Sequence, residues 1–190
     1  MIICGLDEAG RGPLAGPLVA AAVILNSRRV IKNLNDSKKL NSKQREVLYK
    51  KINDSGAVVG VEIITARQIN NRGIGWANKE IFKRLIKRVA ANKYIVDGNL
   101  KINLKNKHIV SVIGADATRK CVMAASIIAK VTRDQIMRDL HKEYPNYGWE
   151  INMGYGTREH ILALKQYGVV RYHRDVYVTT VLNRMGNIND

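Results

Sequence analysis

Three short apolar runs that each close on an acid constrain this chain more than any other feature: IICGLDE (2–8), KYIVDG (93–98) and IVSVIGAD (109–116). Aliphatic and β-branched runs of this length, bounded by glycine or polar residues, read as strands. Two more, LVAAAVIL (18–25) and AVVGVEII (57–64), read the same way without a terminal acid. Helical patterns lie between them. In 77–90 the residues Ala77, Ile81, Phe82, Leu85, Ile86 and Val89 form an apolar face, and Lys79, Lys83 and Lys87 recur on another. Residues 118–141 and 158–167 read as two further helices. Strands alternating with helices predict an α/β sheet, in which sites gather beyond the carboxyl ends of parallel strands. The three runs thus carry Asp7, Glu8, Asp97 and Asp116 toward such a region. Neighbouring strand residues face opposite sides of a sheet. Asp7 and Glu8 can therefore share a site only if the strand ends or bulges there, and Gly10 and Gly12 make a sharp turn plausible.

Charge narrows the chemistry. The chain has 32 Lys and Arg against 16 Asp and Glu, a formal +16, an excess that attracts polyanions and favours nucleic acid. Nothing resembles an apolar span of about 20 residues, and Asp7 and Glu8 interrupt any would-be signal peptide, so the expectation is a soluble cytoplasmic protein with no membrane role; a monomer is also expected. The length fits a single domain, taken as residues 1–182 followed by a polar tail at 183–190. Cys4 and Cys121 sit in apolar runs and read as buried free thiols.

An acid cluster in a basic protein suits hard cations, which take oxygen ligands. Nucleases often hold two of them to form the attacking hydroxide and stabilise the leaving oxygen. Each acid has a blander role available. Asp116 could cap a helix, Asp97-Gly98 could be an ordinary turn, and Asp7 and Glu8 could be solvated. Four idle acids at three strand ends would be a larger coincidence. Downstream, CVMAASIIAKV (121–131) is apolar nearly all round, with Ser126, Lys130 and Asp134 in one polar stripe. That stripe is either a solvent edge or an auxiliary surface through which Asp134 tunes metal or water.

The run Asp7-Glu8-Ala9-Gly10-Arg11-Gly12-Pro13-Leu14-Ala15-Gly16-Pro17 resembles the signature of ribonuclease HII. So do Asp36-Ser37-Lys38-Lys39-Leu40, Asp97-Gly98, Asp116-Ala117, AASIIAKVTRD (124–134), YPNYG (144–148), GYGT (154–157) and His173-Arg174. The resemblance spans nearly the whole chain. It implies a ribonuclease H-like fold, a mixed central sheet flanked by helices. The activity it implies is hydrolysis of the RNA strand of RNA–DNA hybrids and cleavage 5′ of single ribonucleotides in duplex DNA, leaving 3′-hydroxyl and 5′-phosphate ends. It assigns Asp7, Glu8, Asp97 and Asp116 to catalysis and to binding Mg²⁺ or Mn²⁺. Gly10, Arg11 and Gly12 would read the ribose 2′-hydroxyl, Tyr155 would stack on the adjoining deoxyribose, and Lys38 and Lys39 would contact phosphate. Some positions depart from the family's usual pattern: Asn152-Met153 stand for His-Lys, Ala115 for glycine, and Val176-Tyr177 for Ser-Phe. Ribonuclease HIII, which shares the fold, and a non-catalytic nucleic-acid-binding module are the alternative readings.

Overall fold

The computed structural model describes residues 1–186 and is built from two compact units. The first comprises Met1–Ala9, Val19–Ile63 and Asn78–Thr132; the second comprises Gly10–Leu18, Ile64–Ala77 and the chain from Arg133.

In chain order the elements are β1 (Ile3–Ala9), β2 (Leu18–Ile24), α1 (Ser42–Asp54), β3 (Val58–Ile64), α2 (Ala66–Arg72), α3 (Ile74–Arg88), β4 (Lys93–Asp97) and β5 (Ile109–Val112). There follow α4 (Ala115–Thr118), α5 (Lys120–Glu143), α6 (Trp149–Asn152), α7 (Arg158–Tyr167) and α8 (Asp175–Gly186). Residues 183–186, expected in the tail, are thus helical, and 187–190 lie outside the described residues. All five expected strands form; four end within a residue or two of their predicted ends, while β5 stops at Val112, four residues short of Asp116, and α7 matches its predicted range.

The strands make one mixed sheet in the order β3-β2-β1-β4-β5. β1 runs antiparallel to β2 and parallel to β4, which runs parallel to β5. Gly5, in the middle of β1, shows why the central strand needs a residue without a side chain: a Cβ there would meet the Cys121 backbone at 2.3 Å. Beside it Ala20, Ala21 and Ala22 of β2 are fully buried. The first unit's main core joins Ala21 and Val23 to Leu48 and Ile52 of α1 and to Ala124, Ala125, Ile127, Ile128 and Ala129 of α5. Burial of Ser126 and Asp134 rules out the solvent-edge reading of the polar stripe. Cys4 and Cys121 are free, and burial, then Cys121 nearby, pushes the Cys4 thiol up to about 12.

The second unit is held by a core of Leu14, Ala15, Met137, Tyr147, Trp149, Ile161, Ala163, Leu164 and Val178. Its helix α7 starts at Thr157, whose hydroxyl accepts the His160 N–H at 3.3 Å. No helix among the described residues is long and apolar enough to cross a membrane.

Candidate active site

The acids assemble in the first unit, at the carboxyl end of the parallel pair β1 and β4. The last paired residues of that ladder are Leu6 and Val96. One step further on each strand stand Asp7 and Asp97. β1 neither ends nor bulges at the acids, contrary to the sequence expectation, yet the charge of Glu8 still acts on Asp7, so the two carboxylates are within electrostatic reach on a regular strand. It continues in register with β2 through Asp7↔Ala21, Glu8↔Ala20 and Ala9↔Val19. The break that matters is in the β4 partner instead, which leaves Asp7 and Glu8 on a strand edge that only β2 covers. Asp7 is 7% exposed and Glu8 half-buried. The Asp7 carboxylate accepts the Glu8 N–H at 2.7 Å.

Asp116 also differs from expectation. β5 ends at Val112, so Asp116 is no strand terminus but lies in the first turn of α4. It is not the cap of that helix either; Gly114 takes that position at φ 70°. The carboxylate that serves the helix start is Asp97, whose Oδ1 accepts Ala115 N–H at 2.7 Å and Asp116 N–H at 3.4 Å. This contact ties β4 to α4 and turns the Asp97-Gly98 turn into a structural link between two of the acids. An anion at a helix start is favoured by the exposed amides there.

Asp116 Oδ2 accepts from Lys38 Nζ at 2.8 Å. The lysine side chain is 77% exposed and the aspartate 5%. Its position follows from local structure: Asp36 caps the short 3₁₀ turn Ser37–Lys39 by accepting the Lys38 N–H. Sequence reasoning put Lys38 on a phosphate; here it lies on an acid. Lys39 is exposed beside it. The charge pattern shows in the acidities. Burial, then the charges of Glu8, Asp97 and Asp116, holds the Asp7 carboxyl well above the ordinary carboxylate value of 3.8. The bond to Asp116 in turn raises the Lys38 ammonium.

Oxygen donors in this density suit a hard divalent cation, and the crowding that raises Asp7 is what such a cation would relieve. The set is not a finished cage, since among the described residues no group of three or more His, Cys, Asp or Glu is close enough to hold an ion as it stands. The donors are turned instead to Glu8 N–H, Ala115 N–H and Lys38.

The other sequence-predicted residues lie in the second unit. Gly10 is buried at φ 99°, a conformation open mainly to glycine, while Arg11 and Gly12 are exposed. Two guanidiniums that sequence reasoning did not single out hold this loop. Arg174, 0% exposed, donates to the carbonyls of Gly10 at 2.6 Å, Arg11 at 2.9 Å and Gly16 at 2.9 and 3.0 Å. Arg133, 1% exposed, donates to Ala15 at 3.1 Å, Pro17 at 3.1 Å and Met153 at 2.9 Å. Burial, then the charge of Arg133, pulls Arg174 down to about 10, still protonated at neutral pH. Both residues sit in motifs that the sequence displays, but nothing in the motifs says that they face backbone rather than substrate. Tyr177, which departs from the usual phenylalanine, adds a hydroxyl that donates to Arg11 O at 3.0 Å.

Tyr155 is 45% exposed, so its ring is not a core aromatic. Its segment lies directly against the loop. Leu14 and Ala15 N–H both donate to Gly154 O, at 2.8 and 3.2 Å, and a Cβ on Gly154 would stand 2.5 Å from Ala15 O. Asn152, at the first departure, is well employed: its side chain donates to Tyr147 O at 2.7 Å and accepts Gly154 N–H at 2.8 Å. Met153, next in the chain, stands at φ 49°.

Comparison with known proteins converges on one group. The family profile described as ribonuclease HII matches residues 4–180. A ribonuclease HII of Rickettsia africae is 45% identical over 175 residues, 91% of this chain and 89% of the relative. One from Acetivibrio thermocellus is 47% identical over 91% of this chain and 68% of its own length. Among solved structures, the ribonuclease HII of Archaeoglobus fulgidus, in a complex with PCNA, superposes with a TM-score of 0.81 at 27% identity, covering 92% of this chain and 94% of that one. The ribonuclease H2 of Pyrococcus horikoshii gives 0.79 at 28% identity over 97% and 98%.

Proposed function

The chain belongs to the ribonuclease HII family, endoribonucleases of RNA–DNA hybrids with the ribonuclease H-like fold, and we propose the finer points of its activity as follows. It cuts the RNA strand of hybrids and, in duplex DNA, the bond 5′ of a single embedded ribonucleotide, leaving 3′-hydroxyl and 5′-phosphate ends. It works as a cytoplasmic monomer. The observation that carries this reading is the meeting of Asp7 and Asp97 one residue beyond the last rung of the β1–β4 ladder, with Asp97 bonded to the start of the helix that bears Asp116.

Asp7, Glu8, Asp97 and Asp116 would hold the divalent ions, Mg²⁺ or Mn²⁺. When bound, such ions supply a hydroxide nucleophile near neutral pH and stabilise the leaving oxygen. The chain's own residues do the rest. Asp97 keeps the acid on α4 in place. Lys38, on a long exposed stem, carries a cation that can serve either Asp116 or a phosphate, and Lys39 adds a second one. Gly10 and Gly12 bring backbone close to a sugar, where the 2′-hydroxyl separates RNA from DNA. The ring of Tyr155 faces the adjoining deoxyribose, and a 2′-hydroxyl there would crowd it. Asp134, buried, is an auxiliary whose contribution is smaller than that of the four acids.

A labelled duplex with one internal ribonucleotide, incubated with each metal, tests the proposal. A nick 5′ of the ribonucleotide, abolished by chelator and restored by Mg²⁺ or Mn²⁺, is expected. Cleavage on its 3′ side, or full activity in excess chelator, would overturn it.

A further inference from the structure

The second unit contains a buried hydrogen-bond chain to which none of the roles above appeals. His160 and His173 are both fully buried. His160 Nδ1 lies 2.9 Å from Tyr155 O, and its Nε2 lies 3.1 Å from Trp149 Nε1 and 3.2 Å from His173 Nε2. His173 Nδ1 lies 2.9 Å from the N–H of Val170.

These partners allow one assignment of protons. A carbonyl only accepts, so His160 must carry its proton on Nδ1 and donate it to Tyr155 O. Its Nε2 is then the lone-pair nitrogen and accepts from the indole N–H, which only donates. Val170 N–H likewise leaves His173 Nδ1 bare and puts its proton on Nε2, aimed at His160. The chain reads Val170 N–H to His173, His173 to His160, His160 to Tyr155 O. Both imidazoles are neutral: burial first lowers each, His173 to about 4. The Tyr147 and Trp149 rings close around them, 4.8 and 5.3 Å from His173.

The far end of this chain is the main chain of the residue with the exposed ring. Tyr155 O accepts a second bond, from Thr157 N–H at 2.9 Å, and Tyr155 N–H donates to Asn152 O at 2.9 Å. Both lone pairs of that carbonyl are engaged, so the peptide plane after Tyr155 has one orientation. The guanidinium of Arg133 lies 5.9 Å from the ring centroid. The residue after His173 is Arg174, which clamps the Gly10–Gly16 carbonyls, so one dipeptide secures both the loop and Tyr155.

We infer that His160, locked in its Nδ1–H form by Trp149 and His173, is a positioning residue for Tyr155 and thereby a determinant of ribonucleotide–deoxyribonucleotide junction choice. The inference rests on the proposed role of Tyr155, and the test separates the two. Asparagine can place an amide nitrogen where Nδ1 stood, keeping the donor to Tyr155 O while abandoning Trp149 and His173. Glutamine can place an oxygen where Nε2 stood, keeping those two bonds while abandoning Tyr155. A residue that only fills the core should suffer more from His160→Asn, which leaves the larger void and two buried donors unpaired.

The experiment compares His160→Asn, His160→Gln and the natural chain on a single-ribonucleotide duplex and a uniform RNA–DNA hybrid, with Mn²⁺, alongside thermal denaturation. His160→Asn is expected to melt lower yet keep most of the junction preference. His160→Gln is expected to melt higher yet lose at least about tenfold of the preference, against the ~10²-fold that a 1 Å misplacement can cost. Equal losses, or losses that follow melting temperature, overturn the inference. A natural chain with no junction preference, or Tyr155→Ala that keeps it, refutes the reading of Tyr155 instead. One measurement needs no variant: ¹⁵N spectra of the imidazoles should show His160 protonated on Nδ1 and His173 on Nε2 at neutral pH. The opposite tautomer of His160 would overturn the inference outright.

Discussion

Each unit gathers one cluster of like charge, acids in the first and guanidiniums in the second, and the two clusters are treated in opposite ways. In the first, Asp7, Asp97 and Asp116 meet backbone amides and one lysine, and Asp7 is pushed toward its neutral form by burial and by its acidic neighbours. In the second, two guanidiniums are more deeply buried than any of the acids, yet their donors meet carbonyls of the 10–17 loop and Met153. Unrelieved charge is a reservoir for binding something; satisfied charge is architecture. Stability and activity should therefore respond in opposite senses to substitutions in the two places.

The largest expected effect is on the acid side. Asp97→Asn retains an oxygen for the Ala115 N–H but weakens metal ligation. Turnover is expected to fall at least about 10²-fold, the order seen when one electrostatic catalytic group is removed. The melting temperature should hold or rise, because one of several crowded negative charges is gone. Steady-state cleavage and thermal denaturation on one preparation check both halves. A fall in stability that matches the fall in turnover would erase the contrast between the units.

On the arginine side the order reverses. Arg174→Met keeps much of the side-chain volume and removes every donor to Gly10, Arg11 and Gly16. Buried polar groups left unpaired cost about 1–3 kcal/mol each. A total loss of about 3 kcal/mol is a conservative expectation, and at about 2–4 °C per kcal/mol for a chain of this size it is a large drop in melting temperature. Duplex cleavage should decline through the disordered loop, less steeply than in Asp97→Asn. Denaturant titration measures the loss; a change below about 0.5 kcal/mol, the usual range of surface substitutions, would show that the guanidiniums are not holding the loop.

The histidine pair gives a third, smaller contrast through pH. Both imidazoles lie below their ordinary value of 6.5 in the folded chain, His173 at about 4. Below pH 6.5 the unfolded chain takes up protons that the folded chain refuses, so it is favoured. The stability that these neutral imidazoles contribute is whole above pH 6.5 and is lost as pH falls toward 4. Melting temperatures across that window should fall in the natural chain and fall less in His173→Asn. Identical slopes would remove the pair from the acid response.

The sequence displays more of the sheet than of the site. Strand runs and the helix over 158–167 are legible because burial imposes a local period of two or of about 3.6 on the residues themselves. All four acids are legible as the ends of apolar runs, but their arrangement is not. β1 stays regular through Asp7 and Glu8 because only its β4 neighbour stops, and where a partner stops is a tertiary fact. Asp116 reads as a strand end although three residues separate β5 from it, since IVSVIGA is apolar on both sides of the turn at Gly114. Arg133 and Arg174 escape notice for a different reason. An arginine in a basic chain is expected at the surface, and only the fold shows carbonyls arranged to receive it.

Lys38 is the exposed cation of the comparison and gives the smallest expected effect. It is a cation within the acid cluster, yet its side chain is mostly exposed, unlike the two arginines. An ion pair with one partner in solvent contributes about 0–1 kcal/mol, so Lys38→Met should barely move the melting temperature. If the ammonium leaves Asp116 for a phosphate when duplex arrives, its loss should appear in binding instead. One phosphate contact fewer lowers the slope of log affinity against log salt by roughly 0.9. Binding titrations on an uncleavable all-DNA duplex at several salt concentrations read that slope without any contribution from turnover. A slope unchanged from the natural chain, together with a stability loss well above 1 kcal/mol, would place Lys38 with the arginines as architecture. The first unit would then hold a fixed cation of its own, and the division between reservoir and framework would have to be drawn within it.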